Sequence, residues 1–218
     1  MGQATIDTDL IDLGSFNTWV GASKAYTQTS TSRDTGNNVV CSDAPMPFAS
    51  DFKAIRSVSY GSGSFSGEEW TDTVTLGSGL VIENQSTEVA SSAFDFPGFD
   101  GILGLGPVDL TSHTVSNEGT VPTVLDNLLS QGTISIEALG TYYVTVSEPN
   151  SNGTLTFGGY DSSVISGPVK YVPLTTTSPA SDYWGIDQSI PYGETTILSS
   201  TAGIVDTGTT LILIVSDE

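Results

Sequence analysis

Short runs rich in threonine, serine and valine, broken every few residues by glycine or proline, leave this chain little room for anything but β-structure. Apolar stretches seldom exceed six residues, and turn signals separate them at short intervals. Such a rhythm suits strands, which alternate faces every residue, and not helices, which need a longer amphipathic period. Strands are predicted over 5–12, 57–60, 71–76, 80–82, 99–108, 142–146, 154–157, 169–174, 183–190 and 202–215, with 57–90 reading as a hairpin followed by a third strand. One segment departs from the pattern. Between Thr123 and Gln131, Val124, Leu125, Leu128 and Leu129 fall at helical spacing and predict one short helix. Residues 27–56, with a polar Asn37-Asn38 pair, Cys41 and a Pro45-Met46-Pro47 turn, read as a long loop or insertion.

The 218 residues suffice for one domain, or for one domain plus part of another. Against 25 acidic residues stand only 5 basic ones, a formal net charge of −20. Nucleic acid is thereby excluded as a partner, because phosphate needs Lys and Arg opposite it. So acidic a chain repels itself at neutral pH, which predicts greater stability in mild acid. Cys41 is the single cysteine, so no internal disulfide forms. No run is long enough to span a membrane as a helix, and residues 1–7 lack the charged-then-apolar pattern of a signal peptide.

Few catalytic chemistries can be assembled from what remains. His113 is the only histidine and lies in a polar stretch, so a Ser-His or Cys-His pair has one candidate base. One His and one Cys are too few for a zinc site, and no phosphate-loop or dinucleotide fingerprint occurs. Carboxylates are left. Asp206 follows the apolar pair Ile204-Val205 and precedes Thr207-Gly208-Thr209-Thr210. A strand-end aspartate is partly desolvated, a glycine two residues on permits close backbone approach, and flanking hydroxyls can hold the carboxylate. Taken alone, the same residues also fit an ordinary strand-end turn. A second carboxylate nearby would change the chemistry: two such groups share one proton, one serving as base towards water and the other as acid towards a carbonyl. Asp34-Thr35-Gly36 carries similar letters, but Arg33 precedes it in place of an apolar strand, so it reads as a surface turn.

Six segments, in chain order, resemble the pepsin-like aspartic peptidases. Leu10-Ile11-Asp12-Leu13-Gly14-Ser15-Phe16-Asn17-Thr18-Trp19-Val20 is similar to the first catalytic motif, and Ile204-Val205-Asp206-Thr207-Gly208-Thr209-Thr210 to the second. The segment 58–67 resembles the flap hairpin, with Tyr60 as its substrate-facing tyrosine. The segment 99–106 resembles the apolar strand supporting the first aspartate. Phe157-Gly158-Gly159-Tyr160-Asp161-Ser162-Ser163 and Tyr183-Trp184 resemble the lobe junction and the strand after it. The resemblance implies an all-β, bilobal acid-protease fold, with an N-terminal lobe over 1–157 that contains an insertion at 33–56. Residues 158–218 would form the lobe junction and the start of a truncated C-terminal lobe. It implies an endopeptidase using Asp12 and Asp206 at acidic pH, with Tyr60, Gly61, Ser62, Gly14, Gly208 and Thr209 binding substrate and Trp19, Ser15 and Thr207 in support. Trp19 would steady Tyr60 through its indole N–H. Neither metal nor cofactor is implied. The implied partner is an extended polypeptide, not nucleic acid or membrane, and the implied form is an extracellular monomer.

This chain also departs from the family pattern. Leu13 stands where the family has a threonine whose hydroxyl bonds across to the opposite lobe, Phe16 replaces a small hydroxyl residue, and Asp9 puts a charge on an apolar strand. Phe16 is expected to overpack the turn. These departures keep a second reading open, a catalytically impaired peptide-binding relative or a gene-model fragment. A third is a carbohydrate-binding β-sandwich using Trp19, Trp70 and Trp184. Two glycosylation sequons occur, at Asn84 and Asn152.

Overall fold

The computed structural model describes residues 9–39, 57–116, 119–144 and 153–214. Eleven strands, one α-helix and three short 3-10 helices account for the regular structure of the described residues. β1 (Asp9–Asp12), β2 (Trp19–Val20), β3 (Arg33–Asn38), β4 (Ser57–Tyr60), β5 (Gly63–Gly77), β6 (Leu80–Phe94) and β7 (Gly101–Gly104) form one seven-stranded sheet. Its order is β1-β7-β2-β6-β5-β3, with β4 paired to β5. β8 (Leu139–Tyr142) pairs with β9 (Thr154–Phe157), and β10 (Gly185–Tyr192) with β11 (Thr195–Ile204).

The centre of the sheet explains where the site forms. β7 is buried along its whole length, and its successive residues face opposite ways. Ile102 enters a cluster with Trp19, Val39 and Phe65. Leu103 enters another with Ile82, Leu105, Val124, Leu125, Leu128 and Ile134. The helix α1 (Val124–Ser130) supplies three of those residues from its buried face. It starts where a capping box permits: the Thr123 hydroxyl accepts from the Asp126 N–H, and the Asp126 carboxylate accepts from the Thr123 N–H.

Several expectations need correction. The loop assigned to 27–56 contains β3, paired with β5 through Arg33↔Thr71 and Asp34↔Trp70, so the proposed insertion at 33–56 begins with a strand of the main sheet. Cys41 and the proline turn lie outside the described residues. The two strands at 71–76 and 80–82 are the ends of the much longer β5–β6 hairpin. The strand expected at 169–174 is absent: no neighbouring strand meets it, and Tyr171 and Val172 are exposed. β7 is shorter than 99–108, β8 precedes the expected 142–146, and β10 runs two residues later than 183–190. The chain is irregular from Val205 to Ile214, with Leu211 and Leu213 exposed beside the groove described below. Asn84 is exposed on β6 with φ 53°, whereas Asn152 lies outside the described residues.

Candidate active site

Two turns meet at the exit of β7. β1 runs parallel to β7 with Asp12 opposite Gly104, and the Leu105 N–H donates to the Asp12 carbonyl at 2.8 Å. On the other side, Trp184 Nε1 donates to the Leu105 carbonyl at 2.8 Å, and the Val205 N–H donates to the Trp184 carbonyl at 3.0 Å. Leu105, fully buried, therefore ties the chain at Asp12 to the chain leading into Asp206. Trp184 is a functional support that sequence reasoning assigned no such role. Its partner is 79 positions away, and nothing local in the sequence indicates that contact.

The two turns then interlock. The Gly14 N–H donates to Asp12 Oδ1 at 2.8 Å and to Asp206 Oδ1 at 3.1 Å. The Gly208 N–H donates to Asp206 Oδ1 at 2.8 Å, and the Thr209 hydroxyl donates to Asp206 Oδ2. Each glycine also abuts the opposite carboxyl. A Cβ on Gly14 would lie 2.7 Å from Asp206 Oδ1, and one on Gly208 would overlap Asp12 Oδ1. The Thr207 hydroxyl accepts from the Leu13 N–H at 3.0 Å and donates to the Ile11 carbonyl at 2.8 Å. Leu13 has no hydroxyl to return that bond; its side chain packs against the Leu103–Leu105 cluster.

The electrostatics of the pair are unequal. Burial raises the Asp12 carboxyl, opposed by the Ser15 hydroxyl and reinforced by the hydrogen bond and charge of Asp206. Ser15 is buried against Asp12 without a hydrogen bond of ordinary geometry. Burial raises Asp206 as well, but Thr209, Asp12 and the Gly208 and Gly14 N–H groups outweigh it and lower that carboxyl overall. The Gly14 N–H bridges the two carboxyls, one pushed up and the other down, which is the arrangement in which a single proton held by the pair would rest on the Asp12 side.

A groove of about 1480 Å³ opens above the pair. Asp12, Gly14, Asp206, Gly208 and Thr209 line its floor, and Tyr60, Gly61 and Ser62 line it from the β4–β5 hairpin. Phe16 also lines the groove and belongs to neither core cluster, so its ring does not overpack the turn as expected. Tyr60 packs into an aromatic cluster: Trp19 stacks on Phe65 at 4.2 Å, and the Tyr60 and Phe96 rings meet edge-on at 5.7 Å. Phe65 and Phe96 are members of this cluster that sequence reasoning missed. Burial pushes the Tyr60 phenol well up, aided by the Glu88 charge and opposed by the Trp19 indole. Yet neither Trp19 Nε1 nor Tyr60 OH has a hydrogen-bond partner of ordinary geometry. Asp34 is exposed on β3, its carboxylate accepting from the nearby Gly36 N–H at 2.8 Å, and it does not line the groove. Among the described residues no cluster of His, Cys, Asp and Glu is arranged to hold a metal ion.

The family model described as "Eukaryotic aspartyl protease" matches residues 5–218. The chain belongs to that family. Polyporopepsin of Irpex lacteus is 56% identical over 98% of this chain, and rhizopuspepsin-1 of Rhizopus niveus is 42% identical over 74% of it. The crystal structure of the aspartic proteinase from Irpex lacteus superposes with a TM-score of 0.84 at 55% identity, covering 95% of this chain. The all-β, pepsin-like fold is thus shown. The chain spans 59% of the length of polyporopepsin and 57% of the Irpex lacteus crystallised chain. No helix among the described residues of this aspartyl protease relative is long and apolar enough to cross a membrane.

Buried carboxyls elsewhere set its pH response. Burial, then the charge of Asp100, raises Asp9 from 3.8 to about 6. Burial raises Glu88 from 4.5 to about 8, opposed by Asn17 and its own backbone and helped by Glu69. Between its ordinary and raised values each group stays neutral in the folded chain while the unfolded chain has already ionised. Their penalty is absent below about pH 4, grows as pH rises, and is complete above about pH 8. Asp72 has the opposite sign. Burial pushes it up, but donors from Thr31, Tyr26, Ser32 and the Thr73 N–H bring it to about 2, so its contribution is lost only in stronger acid. Thermal unfolding should therefore give a Tm at least about 5 °C higher at pH 4 than at pH 7.5. A Tm that rises steadily between those values would contradict the assignment.

Proposed function

We propose that this chain forms the catalytic cleft of an aspartic endopeptidase that hydrolyses peptide bonds in extended polypeptides at acidic pH. One observation carries the reading: two carboxyls from turns 194 positions apart accept from the same Gly14 N–H on the floor of a groove, each fitted against the other's glycine. In the singly protonated pair, ionised Asp206 takes a proton from a water molecule as its oxygen attacks the scissile carbonyl carbon. Asp12 donates its proton to the carbonyl oxygen. The tetrahedral diol then collapses: Asp206 gives its proton to the departing nitrogen, the C–N bond breaks, and a diol hydroxyl returns a proton to Asp12 as the C=O re-forms, so acid and amine leave a singly protonated pair. No covalent intermediate, metal or cofactor enters this scheme.

Tyr60, Gly61 and Ser62 close over the bound peptide from the hairpin. Gly14, Gly208 and Thr209 hold it near the acids, while Ser15, Thr207 and Trp19 keep the turns and flap in place. Residues 1–157 act as the N-terminal lobe and 158–218 as the junction and first part of the C-terminal lobe. The reading keeps the extracellular, monomeric form that the family resemblance implies.

Incubation with an acid-denatured protein at about pH 4 tests the reading. Cleavage is expected that a statine-type inhibitor blocks and that Asp12→Asn and Asp206→Asn each reduce by at least about 1,000-fold. Peptide binding without cleavage by the unmodified chain would refute the hydrolytic reading.

A further inference from the structure

Glu88 is one of the most deeply buried carboxyls among the described residues, and the hydrolytic scheme above does not use it. It sits on β6 directly under the turn that follows Asp12. Its N–H donates to the Thr18 carbonyl at 3.0 Å, and it pairs in register with Trp19. Its side chain meets the same turn, where Asn17 Nδ2 donates to Glu88 Oε1. On the other side, the turn is held by β7, through Leu105 N–H to Asp12 and Gly106 N–H to Ser15 at 2.7 Å.

Two buried oxygens in this arrangement have no partner: Glu88 Oε2 and Asn17 Oδ1. They belong to the two side chains that already share one hydrogen bond. Both are acceptors when Glu88 is ionised, so neither can satisfy the other. A proton on Oε2 turns that oxygen into a donor, and the acid and amide then close a two-bond ring. An unpaired buried acceptor is costly, and a buried charge with a single donor more so.

We propose that Glu88 is a positioning residue for the Asp12 turn, acting as a neutral acid doubly bonded to Asn17, and that its ionisation loosens the turn towards neutral pH. This deepens the peptidase reading and rests on Asp12 being catalytic. The charged and titratable groups facing Glu88 agree in direction. Glu69 on β5 lies opposite it in register and opposes its ionisation; Tyr60, from the flap, feels its charge.

Glu88→Gln supplies a permanent donor and acceptor of nearly the same shape. Its Tm at about pH 4 should match the unmodified chain, while at about pH 7.5 it should be higher by on the order of 5 °C. Binding of a statine-type inhibitor should persist about one pH unit further towards alkali than in the unmodified chain. An equal loss of Tm at both pH values, or an unchanged alkaline limit, would overturn the proposal. If the variant does not fold, infrared spectra of the unmodified chain decide. A buried protonated carboxyl band should persist at about pH 6.5 and vanish as the pH passes about 8; its absence at the lower pH would defeat the idea. Failure of the unmodified chain to bind inhibitor at any pH would count against the cleft reading alone, because the melting and infrared results judge Glu88 independently.

Discussion

Gly208→Ala is expected to lower peptide cleavage by at least about 100-fold while leaving the fold intact. The new methyl group would overlap Asp12 Oδ1, so one carboxyl must move. A displacement of about 1 Å at a reacting group costs on the order of 100-fold in rate. Gly14→Ala should do the same from the other side, because its methyl group would meet Asp206 at 2.7 Å. Neither glycine has the positive backbone φ that would make alanine strained in itself, so the cost falls on the acids. The check is a rate assay at about pH 4 beside a melting curve. Full activity in either variant would show that the carboxyls do not need this approach.

Thr207→Val should be the more damaging change to stability. One hydroxyl satisfies both the Leu13 N–H and the Ile11 carbonyl, and valine leaves both without that partner. Each orphaned group costs about 1–3 kcal/mol. In a chain of this size that corresponds to roughly 2–4 °C of Tm for each kcal/mol. A reciprocal threonine would share this burden, but position 13 is leucine, so of these two positions only Thr207 supplies a hydroxyl to bridge the turns. Leu13→Thr in the Thr207→Val background is expected to recover part of the lost activity. It gives up some apolar burial, since Leu13 packs against the core, so activity should recover more than Tm. Thr207→Val with unchanged Tm and rate would remove the link from the account.

What the sequence disclosed about this site depended on how local each signal was. Asp206 stood out because an apolar pair, three threonine hydroxyls and a glycine surround it within a few residues. Asp12 was less plain, with leucine and phenylalanine in its motif, and resemblance rather than spacing identified it. The helix at 124–130 was legible from its period and its cap. The strand expected at 169–174 was not, because a strand needs a neighbour and composition does not say whether one is present. Asp34 shows the converse: it has the letters Asp-Thr-Gly but lies exposed on β3. Glu88 and Trp184 were invisible as supports. Nothing near Glu88 distinguishes it from the other 24 acidic residues, because both side chains of the Thr87-Glu88 pair are buried where strict alternation would expose one. Phe16 was misjudged because sequence indicates its bulk and not that its ring would face an open groove.

The shared proton is the centre of the account, and carbon-13 NMR of labelled aspartate carboxyls reads it directly. Spectra assigned with Asp12→Asn and Asp206→Asn should show Asp12 titrating above the ordinary aspartate range and Asp206 below it. Removing either should return the other towards an ordinary value. Two carboxyls that titrate independently in the ordinary range, each indifferent to loss of the other, would contradict it.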